Sequence, residues 1–197
     1  MESKDKASDP PLPCRVLLLP GWLDSGPSHW QSRWEQAHGH RRVTQSDWLW
    51  PKRGDWMARL EEVLLESETP ALLVAHSLGC HLVAAWAAHS RHTARVRGAL
   101  LVALPDIERD DMPPNLQAWR PVLRQRLPFA SVAVVSQDDP YSAPERSAAL
   151  AAQWGAEVVN AGPAGHLNGD SGLGDWPEGH GLLQLLSQRS ACAATPH

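Results

Sequence analysis

The chain has 197 residues, enough to bury one sizeable core and short for two domains. A formal net charge of −4 leaves no basic footprint, which argues against nucleic acid and anionic membrane surfaces as partners and leaves small neutral ligands open. No apolar run approaches the roughly 20 residues that cross a bilayer, and Met1 to Lys6 lacks the apolar core of a signal peptide, so a cytoplasmic protein is expected.

Residues 1–13 are polar, contain prolines and show no periodicity, which predicts a flexible N-terminal arm ahead of a domain over 14–189; residues 190–197 read as a flexible tail. Arg15 to Pro20 is an apolar run that reads as a buried strand, and it empties into the glycine-bearing loop from Gly21 to Trp30. Ser28 is a candidate cap for a helix from about His29 to His38. Arg42 to Trp48 reads as a second strand. Trp56, Leu60, Val63 and Leu64 then recur at helical spacing in a helix expected to end near Pro70. The apolar run beginning at Leu72 is a third strand, followed by a helix, and Val96 to Ala103 is a fourth. Pro105 to Phe129 is too short for a domain; it reads as a long connection, with a small cap over the site as the alternative. Ser131 to Ser136 is a strand, Pro144 to Trp154 a helix, Ala156 to Ala161 a strand, and the chain closes with a helix containing Leu182, Leu183, Leu185 and Leu186. This alternation predicts one compact α/β domain, a mostly parallel sheet with helices on both faces and no large lid.

The chemistry begins at Ala75-His76-Ser77-Leu78-Gly79, where an apolar strand stops at a serine and a helix follows. Such a turn holds the serine in a strained conformation above the sheet edge, flanked by small residues; alanine stands in the first slot, where glycine is usual. The Leu78 amide, at the start of the helix, points to where an oxyanion would form, and the Trp22 amide in the first loop is the second candidate donor. Serine needs a base and the base an orienting group. Asp139 follows one later strand and His166 the next, and all strand carboxyl ends of a parallel sheet lie on one edge. Asp138 rivals Asp139, which is preferred because Pro140 restricts its backbone. His76 is too close to Ser77 to reach round the turn. His81, His89 and His92 fall on or beyond the helix, and His38, His40 and His180 lie at helix ends.

Cys14, Cys80 and Cys192 are an odd set without metal spacing and read as free thiols; no metal site and no cofactor are expected. Trp22, Trp30, Trp48 and Trp50 are candidates to line an apolar acyl pocket, Trp30 and Trp48 foremost, with core packing as the competing role. Ten tryptophans against one phenylalanine and one tyrosine match a GC-rich codon bias, so their number alone says nothing about binding.

Pro20-Gly21-Trp22, Ser25 to Gln31, Asp47-Trp48 with Pro51, Ala75 to Gly79, Asp139-Pro140-Tyr141, Gly165 to Asn168 and Ser171 to Pro177 together resemble the retinoblastoma-binding protein nine and YdeN-like family of small serine hydrolases, over roughly residues 15 to 188. The resemblance implies a compact α/β-hydrolase fold, catalytic roles for Ser77, Asp139 and His166, and an oxyanion hole at Trp22 and Leu78. It names no substrate beyond a small-molecule ester or amide, with thioester and aminopeptidase-like activity open, and no retinoblastoma-binding motif is present. A monomer or small homo-oligomer is expected. The competing reading is a hydrolase-fold scaffold whose triad is idle, since fold does not fix function.

Overall fold

The computed structural model describes residues 14–192, with side chains to residue 189. Six parallel strands form one sheet in the order β2-β1-β3-β4-β5-β6: β1 (Arg15–Leu19), β2 (Arg41–Arg42), β3 (Ala71–His76), β4 (Val96–Val102), β5 (Ala130–Val135) and β6 (Glu157–Asn160). The helices are α1 (Trp30–His38), α2 (Arg53–Leu65), α3 (Leu78–His89), α4 (Pro144–Trp154) and α5 (Pro177–Cys192).

The central strands are apolar apart from the exposed Arg97 at the start of β4 and His76 at the end of β3, because both their faces are covered. Leu17, Leu19, Leu73, Ala75, Ala99, Leu101 and Ala133 point to the side packed by α2, α3 and α4, where Trp56, Leu60, Val83, Trp86 and Trp154 close the core. Their alternating neighbours Val16, Leu18, Leu72, Val74, Leu100, Val102, Val132 and Val134 face Trp30 and Trp34 of α1 and Leu183 and Leu186 of α5. After β1 the chain steps one way to β2 and then back past β1 to β3. The order therefore reverses between β1 and β3, and the crevice at their carboxyl ends is where such folds bind ligands.

Several boundaries differ from expectation for identifiable reasons. The second strand contracts to Arg41–Arg42, because its partner β1 ends at Leu19 and Pro20 has no N–H with which to extend the ladder. Farther on, the Asp47 carboxylate takes the amides of Leu49 and Trp50 at 2.9 and 2.8 Å. His29 caps α1 in place of Ser28: its Nδ1 accepts from the Gln31 amide at 3.1 Å. Helix α2 stops at Leu65, where the Arg15 guanidinium gathers the carbonyls of Val63, Leu64 and Ser67. Helix α5 continues through Cys192, so residues 190–192 belong to it and not to a tail. The expected arm at 1–13 and the rest of the expected tail lie outside the described residues, as does the Cys192 side chain; Cys14 and Cys80 are free thiols. Among the described residues no helix is long and apolar enough to cross a membrane.

A tight backbone joint is at Gly79, in the first turn of α3. A Cβ there would lie 2.3 Å from the Leu19 carbonyl oxygen and 3.0 Å from that of Pro20, so only glycine lets α3 seat against the end of β1. Gly181, inside α5, has nothing within 4 Å of its would-be Cβ. Gly79→Ala is expected to cost about 3 kcal/mol or more in urea denaturation, whereas Gly181→Ala should be neutral or stabilising by up to about 1 kcal/mol from helix propensity. Equal effects would show that the Gly79 contact is not tight.

Candidate active site

Ser77 sits between β3 and α3 with φ 54° and ψ −121°, a conformation that costs a non-glycine residue of order 1–3 kcal/mol. Its amide is held by the Val102 carbonyl at 2.9 Å, and the chain turns at once into α3. Gly21 makes room on the other side. A Cβ at 21 would fall 2.8 Å from Ser77 Cβ and 3.3 Å from the Leu78 nitrogen, so the peptide leading to Trp22 lies directly against the Ser77–Leu78 peptide.

The loop that carries Trp22 is itself braced. Leu23 and Asp24 both hold positive φ, 68° and 65°, and the Leu23 amide donates to the Trp48 carbonyl at 3.2 Å. Arg42, with its side chain only 13% exposed, reaches from β2 to the Asp24 carboxylate at 2.6 Å, the Ser25 carbonyl at 2.9 Å, the Ser32 hydroxyl at 2.6 Å and Glu35 at 3.0 Å. One guanidinium thus ties this loop to the first helix.

The two later loops meet at His166. Its Nε2 lies 2.9 Å from Ser77 Oγ, and its Nδ1 is 3.0 and 2.9 Å from the two oxygens of Asp139. Asp139 has a side chain 3% exposed and takes a further bond from the Tyr141 amide at 2.9 Å. Asp138 does different work. Its exposed carboxylate accepts from the Gly165 amide at 2.7 Å and the Ser136 hydroxyl at 2.8 Å, and those bonds, the amide foremost, hold its pKa below the usual carboxylate value. It shapes the turn that delivers His166. His76 supports the same turn: its Nε2 stands 2.9 Å from the His166 carbonyl, where it donates, and its ring meets the His166 ring edge-on at 4.9 Å.

A cleft of about 280 Å³ opens above these groups. Trp22, Ser77, Leu78 and His166 line it, and so do Pro105, Ile107, Met112, Pro113 and Leu116. The 105–129 segment is therefore a connection that also builds the apolar wall of the cleft. Trp30 and Trp48 stand outside the lining, a correction to their expected role. Trp30 is 1% exposed and donates its indole N–H to the Leu167 carbonyl at 2.7 Å, while Trp48 packs edge-on against Trp56 at 5.3 Å. Trp50 is exposed and also stands outside the lining.

Residues the sequence reading missed include Arg42, which carries no local signal. Position could have exposed the 105–116 wall, because it follows β4 on the edge that carries the site. His29 was also missed: it lines the cleft, its Nδ1 accepts from Gln31, and its Nε2–H is buried without a protein partner. Among the described residues no group of three or more histidine, cysteine or acidic side chains is placed to hold a metal.

A parallel sheet with a strained serine after β3, an aspartate after β5, a histidine after β6 and glycine-seated loops beside the serine defines an α/β hydrolase. Among solved structures, a YdeN-like hydrolase from Pectobacterium atrosepticum shares 26% identity, with 90% of this chain and 92% of that one covered and a TM-score of 0.79. The ydeN gene product of B. subtilis, at 22% identity and TM-score 0.67 over 88% of this chain and 98% of that one, has the same fold. So does the esterase domain of a Rhodothermus marinus protein, at 17% identity and TM-score 0.63 over 92% and 89%. No curated protein matches the chain. The serine hydrolase family model matches residues 16–185, and the chain belongs to that family of enzymes.

Arg42→Met should release the loop that carries Trp22 and lower turnover about 10- to 100-fold, with a smaller effect on KM; unchanged turnover would mean the loop holds its place without Arg42. The buried histidines predict an acid limit to stability. Burial, more than neighbouring charge, lowers His29 to about 3, and His40 and His81 to about 4, from an ordinary 6.5, and it drives His76 far down as well. Below 6.5 the unfolded chain takes up protons that the folded chain refuses, so stability falls from about pH 6.5 and the loss levels off once the folded values near 4 and 3 are passed. Thermal unfolding between pH 8 and 4 checks this; a midpoint that holds steady down to pH 4 would contradict it.

Proposed function

We propose that the enzyme cleaves a small-molecule carboxylic ester through an acyl-enzyme on Ser77. The observation that carries the reading is the pair of contacts at one imidazole: Nε2 at 2.9 Å from Ser77 Oγ and Nδ1 at 2.9 Å from Asp139. Asp139 accepts the Nδ1–H and so leaves Nε2 unprotonated and aimed at the hydroxyl. His166 takes the proton as Ser77 Oγ bonds to the carbonyl carbon. The carbonyl oxygen becomes an oxyanion facing the Leu78 and Trp22 amides.

His166 then returns the proton to the leaving oxygen, and the alcohol departs. Water repeats the sequence: it attacks the acyl carbon, gives its proton to His166, and Ser77 leaves with that proton as the acid is released. Amides and thioesters fit the same sequence with a different leaving atom. No cofactor enters any step.

A fluorophosphonate probe should add once, at Ser77, and the adduct should be absent in Ser77→Ala and His166→Ala when read by mass spectrometry. Both substitutions should lower ester turnover by a factor of about 10⁴ or more. Labelling elsewhere, or wild-type turnover in Ser77→Ala, would overturn the assignment.

A further inference from the structure

The cleft is small for what surrounds it. At about 280 Å³ it corresponds to roughly nine waters of liquid volume, near the lower end for ligand sites. It has room for the reacting ester and a short chain, so anything longer must leave through the mouth.

The mouth carries an apolar shelf. Leu23, which lines the cleft, and Leu49 and Trp50 of the neighbouring loop are 56%, 54% and 58% exposed, and one backbone bond, from the Leu23 amide to the Trp48 carbonyl at 3.2 Å, joins their two loops. Single exposed apolar residues are ordinary, but a cluster continuous with a cleft marks a contact surface. The shelf is also rigid. The Asp47 carboxylate holds the amides of Leu49 and Trp50, and the Trp56 indole N–H holds the Asp47 carbonyl at 3.1 Å. The Leu49 carbonyl accepts both from the indole of Trp22, which lines the cleft, at 3.0 Å and from the Asn115 side-chain amide, next to the lining residue Leu116, at 2.6 Å. Leu23 presents its side chain from a left-handed conformation, φ 68°, that leucine seldom adopts, and strain of this kind collects at functional positions.

Charge narrows the choice of occupant. No lysine or arginine lines the cleft, and its one carboxylate, Asp24, is paired with Arg42 at 2.6 Å. A neutral alkyl chain suits that lining, whereas an anionic group would find no counter-charge.

From this we infer that Leu23, Leu49 and Trp50 form an outer subsite for the far end of an alkyl acyl chain, which makes the substrates medium- to long-chain acyl esters. The inference rests on the acyl-enzyme reading for the chemistry, and on the shelf alone for the chain.

The test compares kcat/KM for p-nitrophenyl decanoate and p-nitrophenyl acetate in the wild-type protein, Leu49→Ser and Trp50→Ser. The decanoate-to-acetate ratio should exceed ten in the wild type and fall about tenfold in Trp50→Ser, since each apolar methylene placed on the shelf contributes to binding. A second readout is independent of turnover: undecan-2-one, a ketone of matching length that cannot be cleaved, is titrated calorimetrically against wild type and Trp50→Ser and should bind the variant about tenfold more weakly. Equal ratios and equal ketone affinities would overturn the outer subsite while leaving the acyl-enzyme intact. Ketone binding that depends on Trp50 in a protein without ester turnover would do the reverse. Unchanged ratios accompanied by a Trp50-dependent dimer in sedimentation, or by Trp50-dependent flotation with phosphatidylcholine vesicles, would assign the shelf to a second copy or to a lipid surface and overturn the proposal.

Discussion

The close approach of two glycines to the turn at Ser77 is the contact on which the rest of the site depends. Gly79 lets α3 descend onto the end of β1, and Gly21 lets the loop after β1 settle beside the serine. Either Cβ would push the first and third strands' outlets apart, and the crevice created by the reversal of strand order would widen. The strained backbone of Ser77 is tolerable only because these contacts, together with the Val102 carbonyl on its amide, leave no relaxed alternative.

That strain is not confined to Ser77. The non-glycine residues with positive φ among those described are Leu23, Asp24, Ser77, Ala103, Leu167 and Trp176. Each belongs to a segment that leaves the carboxyl end of a strand, and none lies at the opposite edge. Apart from a register shift between β3 and β4 at Ala71–Leu72, the strands pair regularly, and the buried apolar faces of strands and helices supply the stability against which the strained loops are held. The loop from Gly162 to Trp176 shows how this is done. Asp138, His76 and Trp30 each hold one of its peptide groups, so the imidazole of His166 is set by main-chain bonds on several sides.

Most of the architecture was legible because its signals are local. Apolar runs such as Leu72 to Ala75, turn residues such as Pro20-Gly21, and the chain order of serine, aspartate and histidine fall on one edge by topology alone. The misreadings share a different origin. Trp30 and Trp48 have the right chemistry for a pocket, but whether an indole faces a cleft or a core depends on packing between distant elements, and Trp30 is claimed by Leu167. The strand expected to run to Trp48 fails because its partner strand ends at Leu19, before Pro20, which the periodicity of the later segment does not register. Arg42 looks like any surface charge, and only the folded chain shows how many groups converge on it.

The oxygen of Leu49 has two lone pairs, and both are occupied, one by the Trp22 indole and one by the Asn115 side-chain amide. A main-chain atom therefore joins three segments: the loop after β1, the loop that follows Asp47 and the segment after β4. No side-chain exchange at position 49 deletes that acceptor, so the tie is independent of the residue the loop presents there.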